Sequence, residues 1–200
     1  MKKTVLLVVS LIAIILISGC GHVIYADGPY HGKVIDRKTK QPIEGAAIVA
    51  VWWKQTPMIA DSQTSYYDGQ DTLTDKDGNF TIPGITRGST NPLAKIQEPS
   101  FTIFKPEYTA YRNLVFKPRS VPRGIEVFET GGQVVYALGR LTTREERIRN
   151  MDGLLPGVCF PDTKQFCVPE EKILNLRWLM NSERQSLGLN PTHAPKGGSQ

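Results

Sequence analysis

The sequence predicts a mainly β fold: an antiparallel β-sandwich with a C-terminal helical extension. Three observations predict it. Segments rich in Val, Ile, Thr and aromatic residues recur from His31 to Gly139, with turn residues between them. After Gly139 the texture changes to charged stretches with helical spacing. Seven Phe, seven Tyr and three Trp in 200 residues supply the apolar bulk of a core and exclude wholesale disorder.

The strands are read in order. Residues 20–30 form a short tether that ends in the Gly28-Pro29 turn. His31-Gly-Lys-Val-Ile-Asp36 is a first strand. Ala46 to Lys54 is a second; it is apolar on both parities, so it is central and covered on both faces. Met58 to Tyr67 carries no clear pattern and reads as a loop. Asp71–Asp75 and Asn79–Ile82 flank Lys76-Asp77-Gly78, an Asp-Gly hairpin signal, because Gly reaches positive φ cheaply. Residues 85–99 read as a long loop. Phe101–Phe104, Arg112–Phe116, Ile125–Phe128 and Gln133–Tyr136 complete the strands of the 31–139 sandwich.

Residues 140–189 form the helical extension. Thr142 or Thr143 caps a helix that runs to Asn150, with acids near its start. Pro169 to Leu187 reads as one helix with Pro169 at its first position, and Gly188 stops it. Its apolar face is Ile173, Leu176, Trp178, Leu179, Met180 and Leu187. That face either binds a partner or docks on the sandwich, since an isolated helix of this length is marginal. Residues 190–200 are a polar tail that reads as disordered.

The N-terminus is a targeting segment. Lys2 and Lys3 precede thirteen residues, Val5 to Ile17, apolar except for Ser10. The stretch is short for a transmembrane span and typical of an export signal. Ile17-Ser18-Gly19-Cys20 follows and resembles the lipobox of bacterial lipoproteins. The resemblance implies cleavage after residue 19 and a diacylglycerol thioether on Cys20, with palmitate-type acyl chains holding the chain to a membrane. Two or three chains pass the threshold for stable anchoring, at roughly 0.8 kcal/mol per buried methylene. Gly21, where an Asp would favour inner-membrane retention in that family, implies the outer membrane. The alternatives are a plain signal cut after Ala26, for which Ile24 suits the small-residue rule poorly, and an uncleaved anchor helix.

Loss of residues 1–19 changes the charge arithmetic. The formal net charge of +5 comes from 24 Lys and Arg against 19 Asp and Glu. Without Lys2 and Lys3, 22 against 19 leaves +3 over 181 residues. The cations are spread along the chain without a run or a recognition motif, so nucleic acid is not an expected partner.

Cys159 and Cys167 are the cysteines left after lipidation of Cys20, and an even remainder in an oxidising compartment predicts one disulfide. A free thiol pair and a redox site are the alternatives; the spacing is not CxxC. Further zinc ligands at matching spacing are missing, and no metal or other cofactor is expected.

Gly32-Lys-Val-Ile-Asp36, Gln41-Pro-Ile-Glu-Gly-Ala46 and Thr74-Asp-Lys-Asp-Gly-Asn-Phe80 appear in that order. Together they resemble the carboxypeptidase regulatory-like domain, a small prealbumin-like β-sandwich. Phe104-Lys-Pro-Glu-Tyr108 is similar to a later element of that family, with Glu107 where Gly is usual. The resemblance is close over residues 31–84 and loose over 85–139. It implies a scaffold or binding appendage and no catalytic residue. The inward positions are Val34, Ile43, Ala46, Ile48, Phe80 and Ile82, and Gly45 makes a tight bend.

The chemistry-bearing clusters are few. Asp71, Asp75, Asp77 and Asn79 are oxygen-rich but lack the EF-hand arrangement, so turn chemistry explains them better. Trp52, Trp53, Tyr66 and Tyr67 are the candidate ligand-binding aromatics for a sugar; adjacent strand residues face opposite ways, so one Trp belongs to the core. Lys33 or Lys38 is a remote candidate for an isopeptide bond. No nucleophile elbow, metalloprotease motif or phosphate loop occurs, and the chain is expected not to be an enzyme. The expected function is a non-catalytic envelope lipoprotein that scaffolds or binds another envelope protein. The alternative is a carbohydrate-binding surface module.

Overall fold

The computed structural model describes residues 23–58, 62–89, 93–155 and 167–192. The expected export signal, Cys20 and Cys159 lie outside the described residues. No described helix is long and apolar enough to cross a membrane.

Eleven described strands form two large sheets and a ribbon. They are β1 Val23–Asp27, β2 Tyr30–Asp36, β3 Ala47–Pro57, β4 Ser62–Leu73, β5 Asn79–Ile82, β6 Ile85–Ser89, β7 Lys95–Ile96, β8 Ser100–Phe104, β9 Tyr111–Leu114, β10 Ile125–Thr130 and β11 Gln133–Leu138. One sheet has the order β10-β11-β2-β5. The other runs β4-β3-β8-β9, with β7 also paired to β3. β1 and β6 form a separate antiparallel ribbon.

The main core lies between the two large sheets. Val34, Phe80, Ile82, Val134, Tyr136 and Leu138 come from one side; Ile48, Ala50, Trp52, Phe101 and Ile103 come from the other. The expected inward residues Val34, Ile43, Ala46, Ile48, Phe80 and Ile82 all belong to it. The sandwich is mixed rather than wholly antiparallel, because β2 and β11 run parallel, with Tyr136 opposite Val34. A parallel pair needs a long crossover, and nearly the whole domain separates these two strands.

β3 is buried on both faces, as its sequence predicts. Ile48, Ala50 and Trp52 face the main core. Ala47, Val49 and Val51 face a second core with Phe104 and the helices. These are α1 Arg144–Met151 and α2 Leu174–Ser186, preceded by a 3-10 turn at Glu170–Lys172. The helices are therefore a third layer on the sandwich, not an appendage. Ile173, Leu176, Leu179, Met180 and Leu187 are buried there, so the apolar face of α2 is already occupied. Trp178, assigned to that face from sequence, is 65% exposed on the opposite side.

Both helix ends follow local chemistry. Thr143 caps α1 in a reciprocal box with Glu146. α2 ends in a Schellman arrangement: Leu189 N–H donates to Arg184 O at 2.8 Å and Gly188 N–H to Gln185 O at 3.0 Å. The expected single helix from Pro169 is broken at Ile173, where φ is −139° and the buried side chain turns into the helical layer.

Other expectations are corrected as well. Five residues of the expected tether, Val23–Asp27, are strand β1. Residues 85–99 hold β6 and β7, and the 58–67 loop contains the start of β4. The Asp-Gly turn does not join a hairpin: β4 pairs with β3, and β5 with β2, so it arches between sheets. Asp75 Oδ1 accepts from the N–H of Asp77 and of Asn79, which shapes the arch. Gly78 has φ +75°, and a Cβ there would sit 2.4 Å from Val34 O, so only glycine fits. Gly45 likewise has positive φ at the predicted bend. The first residues of the tail pack on α2, with Thr192 N–H donating to Asn181 Oδ1 at 2.9 Å; residues 193–200 lie outside the described residues.

Candidate functional site

The four candidate aromatics do not form one platform. A bulge in the β3–β4 pairing sets Trp52 opposite Asp68 and Trp53 opposite Tyr66, leaving Tyr67 as the extra residue. Trp52 is fully buried, and Tyr67 packs against the same main core. Trp53 and Tyr66 face the helical layer, where their rings meet edge to face at 6.4 Å.

Trp52 takes part in an unexpected polar hub. Its Nε1–H donates to Asp27 Oδ2 at 2.7 Å, and Tyr30 Oη donates to both Asp27 oxygens at 2.8 and 2.7 Å. Burial and the same carboxylate push the Tyr25 hydroxyl up to about 12. This hub fastens the end of β1 to the centre of the sandwich. Sequence reading missed it because Asp27 stands in a segment that looks like linker.

The acidic stretch 71–79 divides by role. Asp75 shapes the arch. Asp71 instead reaches the start of α2, where Oδ2 accepts from Asn175 N–H at 2.5 Å. It supplies from another element the cap that α2 lacks locally. Asp71 Oδ1 is buried without a hydrogen-bond partner. Burial pushes this carboxyl up to about 6 against the hydrogen bonds from α2. The residue lines a cleft of about 460 Å³ together with Gln70, Thr72, Thr81, Lys172 and Asn175. Lys172 donates to Asp68 Oδ1 at 3.1 Å across the same junction. Thr72 and Thr81 hydroxyls and the Glu171 carboxylate complete the polar lining of the cleft. Among the described residues no group of three His, Cys, Asp or Glu could hold a metal ion.

A charge cluster locks the two helices. Glu183, 2% exposed, receives Arg147 Nε–H at 2.8 Å and Nη2–H at 2.6 Å. Its Oε1 also accepts the N–H of Glu107 at 3.2 Å. Lys38 is exposed in the turn after β2, and Lys33 is half-buried on β2 between Val135 of β11 and Asn79 of β5. Cys167 is 7% exposed.

The outer face of α2 carries the exposed pair Leu174 (56%) and Trp178 (65%), one helical turn apart. Beside Trp178 lies a cavity of about 440 Å³ lined by Asn181, Ser182, Gln185 and Pro191. No family model, curated protein or solved structure matches this chain.

Proposed function

We propose that this chain is a lipid-anchored bacterial envelope protein that acts as a non-catalytic scaffold or protein-binding module. The observation that carries the anchor is the position of β1 relative to Cys20. A cut after Ala26 would remove four of the five residues of β1, including Tyr25, which packs against the main core. Cleavage ahead of Cys20 leaves every described strand whole. Ile17-Ser18-Gly19-Cys20 and Gly21 support lipidation and outer-membrane placement.

The sandwich is read as carboxypeptidase regulatory-like and prealbumin-like. A local geometry supports this. Glu107 stands where that family has Gly, and its φ is +68°, the left-handed region that favours Gly. The module's partner surface is the outer side of α2 at Leu174 and Trp178, because its inner side is filled by the sandwich. Carbohydrate binding is the second reading, and Trp178 with its amide-lined cavity favours it over Trp52 or Trp53. Cys159 and Cys167 are proposed to pair, stapling the segment between the helices.

Fractionation tests the reading. Wild type is expected in the membrane pellet and released by detergent, whereas Cys20→Ser loses incorporated palmitate. Undiminished palmitate in Cys20→Ser would remove the anchor.

A further inference from the structure

Among the described residues, three of the four most exposed large hydrophobic side chains belong to the N-terminal ribbon and to the chain just beyond the paired end of β3 and β7. Ile24 is 73% exposed, Leu93 67% and Met58 63%. The register places them. β7 runs antiparallel to β3, with Ile96 opposite Lys54 and Lys95 opposite Gln55. Leu93 therefore lies beyond the same end of the sheet as Met58, which follows β3 directly. In the ribbon, Val23 pairs with Ser89 and Ile24 with Gly88. Leu93 follows Ser89 by four residue steps, a reach of at most about 14 Å. Asp27, at the other end of β1, is fastened by Trp52 and Tyr30.

We infer that the Val23 end of the ribbon and the β3–β7 end of the sheet lie flat on a lipid bilayer, with Ile24, Met58 and Leu93 in the interfacial zone. Apolar side chains in isolation need no explanation, but a group of three so placed marks an interaction surface. The covering partner follows from the chain that leads into it. Cys20 precedes Val23 by three residues, a span of at most about 11 Å. A lipid on Cys20 therefore holds the Val23 end of the ribbon close to the membrane. Lys95 is exposed and Lys54 half-buried at the β3–β7 end, where both can meet anionic headgroups while their stems lie along apolar surface. The inference rests on the lipid-anchor reading and changes its consequence: the sandwich is seated on the bilayer, not suspended on a tether.

The test uses the full chain reconstituted in vesicles of phosphatidylethanolamine and phosphatidylglycerol. A solvent-sensitive fluorophore is attached at Met58→Cys, Leu93→Cys or, as control, Phe128→Cys, and the vesicles carry acyl-chain nitroxide quenchers. Labels at 58 and 93 are expected to blue-shift and lose fluorescence to the quencher, while the label at 128 does not. Labels at 58 and 93 that behave like the one at 128, in protein that floats with the vesicles, overturn the seating and leave the anchor standing. A chain that does not float overturns both.

Discussion

Asp71 Oδ2 accepts the backbone N–H of Asn175 at 2.5 Å, so a strand of the sandwich caps the helix that lies on it. This bond links the two parts that the sequence presents as separate. Its pH dependence has a defined sign. The carboxyl is raised from 3.8 to about 6 by burial. Rising pH deprotonates the unfolded chain first, so the native state binds more protons and loses stability across that window. The loss is at most about 3 kcal/mol, reduced by the solvent that reaches the cleft. Urea midpoints measured from pH 4 to pH 7 should show this fall in wild type relative to Asp71→Asn. Parallel profiles for the two proteins would contradict the assignment.

Glu183 and Arg140 separate a buried pair from a surface one. Glu183→Ala removes the bidentate acceptor of Arg147, which keeps Ser186 Oγ and the Glu107 carboxylate, and the acceptor of the Glu107 N–H, and is expected to cost about 3 kcal/mol. Arg140 is 62% exposed in its pair with Glu107, and Arg140→Ala should leave stability nearly unchanged. Chemical denaturation of the two variants checks the contrast.

Glu107 tests the turn. Its left-handed backbone costs about 1–2 kcal/mol relative to Gly. Glu107→Gly relieves that cost while giving up an exposed ion pair, and should raise stability by about 0.5–1 kcal/mol. Glu107→Ala loses the pair without relief and should be less stable than wild type. Thermal melts of the three proteins give the order Gly, Glu, Ala.

The tryptophans answer differently. Trp52→Ala opens a cavity in the main core and removes one donor from the Asp27 carboxylate, which keeps Tyr30 and the Gly28 N–H, for a loss of about 3–5 kcal/mol. Trp178→Ala should change stability by no more than about 0.5 kcal/mol, since its ring lies in solvent. Pull-down from envelope extracts and glycan arrays with Trp178→Ala should show lost binding. Unchanged partners and glycans would remove α2 as the binding face.

The legible parts of the fold were those with local signatures. The alternating apolar runs of β2, β8, β10 and β11 mark strands, and two-sided apolarity marks β3 as covered on both faces. β1 and β6 were not legible, because each finds its partner far away in sequence and neither has a run of core residues. β4 is polar along most of its length; it is a strand because β3 pairs with it residue after residue. Lys76-Asp77-Gly78 specifies a turn but not whether the flanking strands stay together. Asp71 and Glu183 were ambiguous for the same reason: their partners, Asn175 and Arg147, are brought in only by tertiary packing. Trp178 was misplaced because an aromatic in an apolar helix was assigned to the core side, whereas its angular position puts it with Leu174 on the outside.

The central claim is that Cys20 is the first residue of the mature protein and carries lipid. Intact-mass and N-terminal peptide analysis of the chain purified from bacterial envelopes tests it most directly. The account predicts an N-terminal peptide that begins at Cys20 with the mass of a diacylglyceryl thioether. A peptide that begins at Asp27, or at Met1 with an unmodified Cys20, would contradict it.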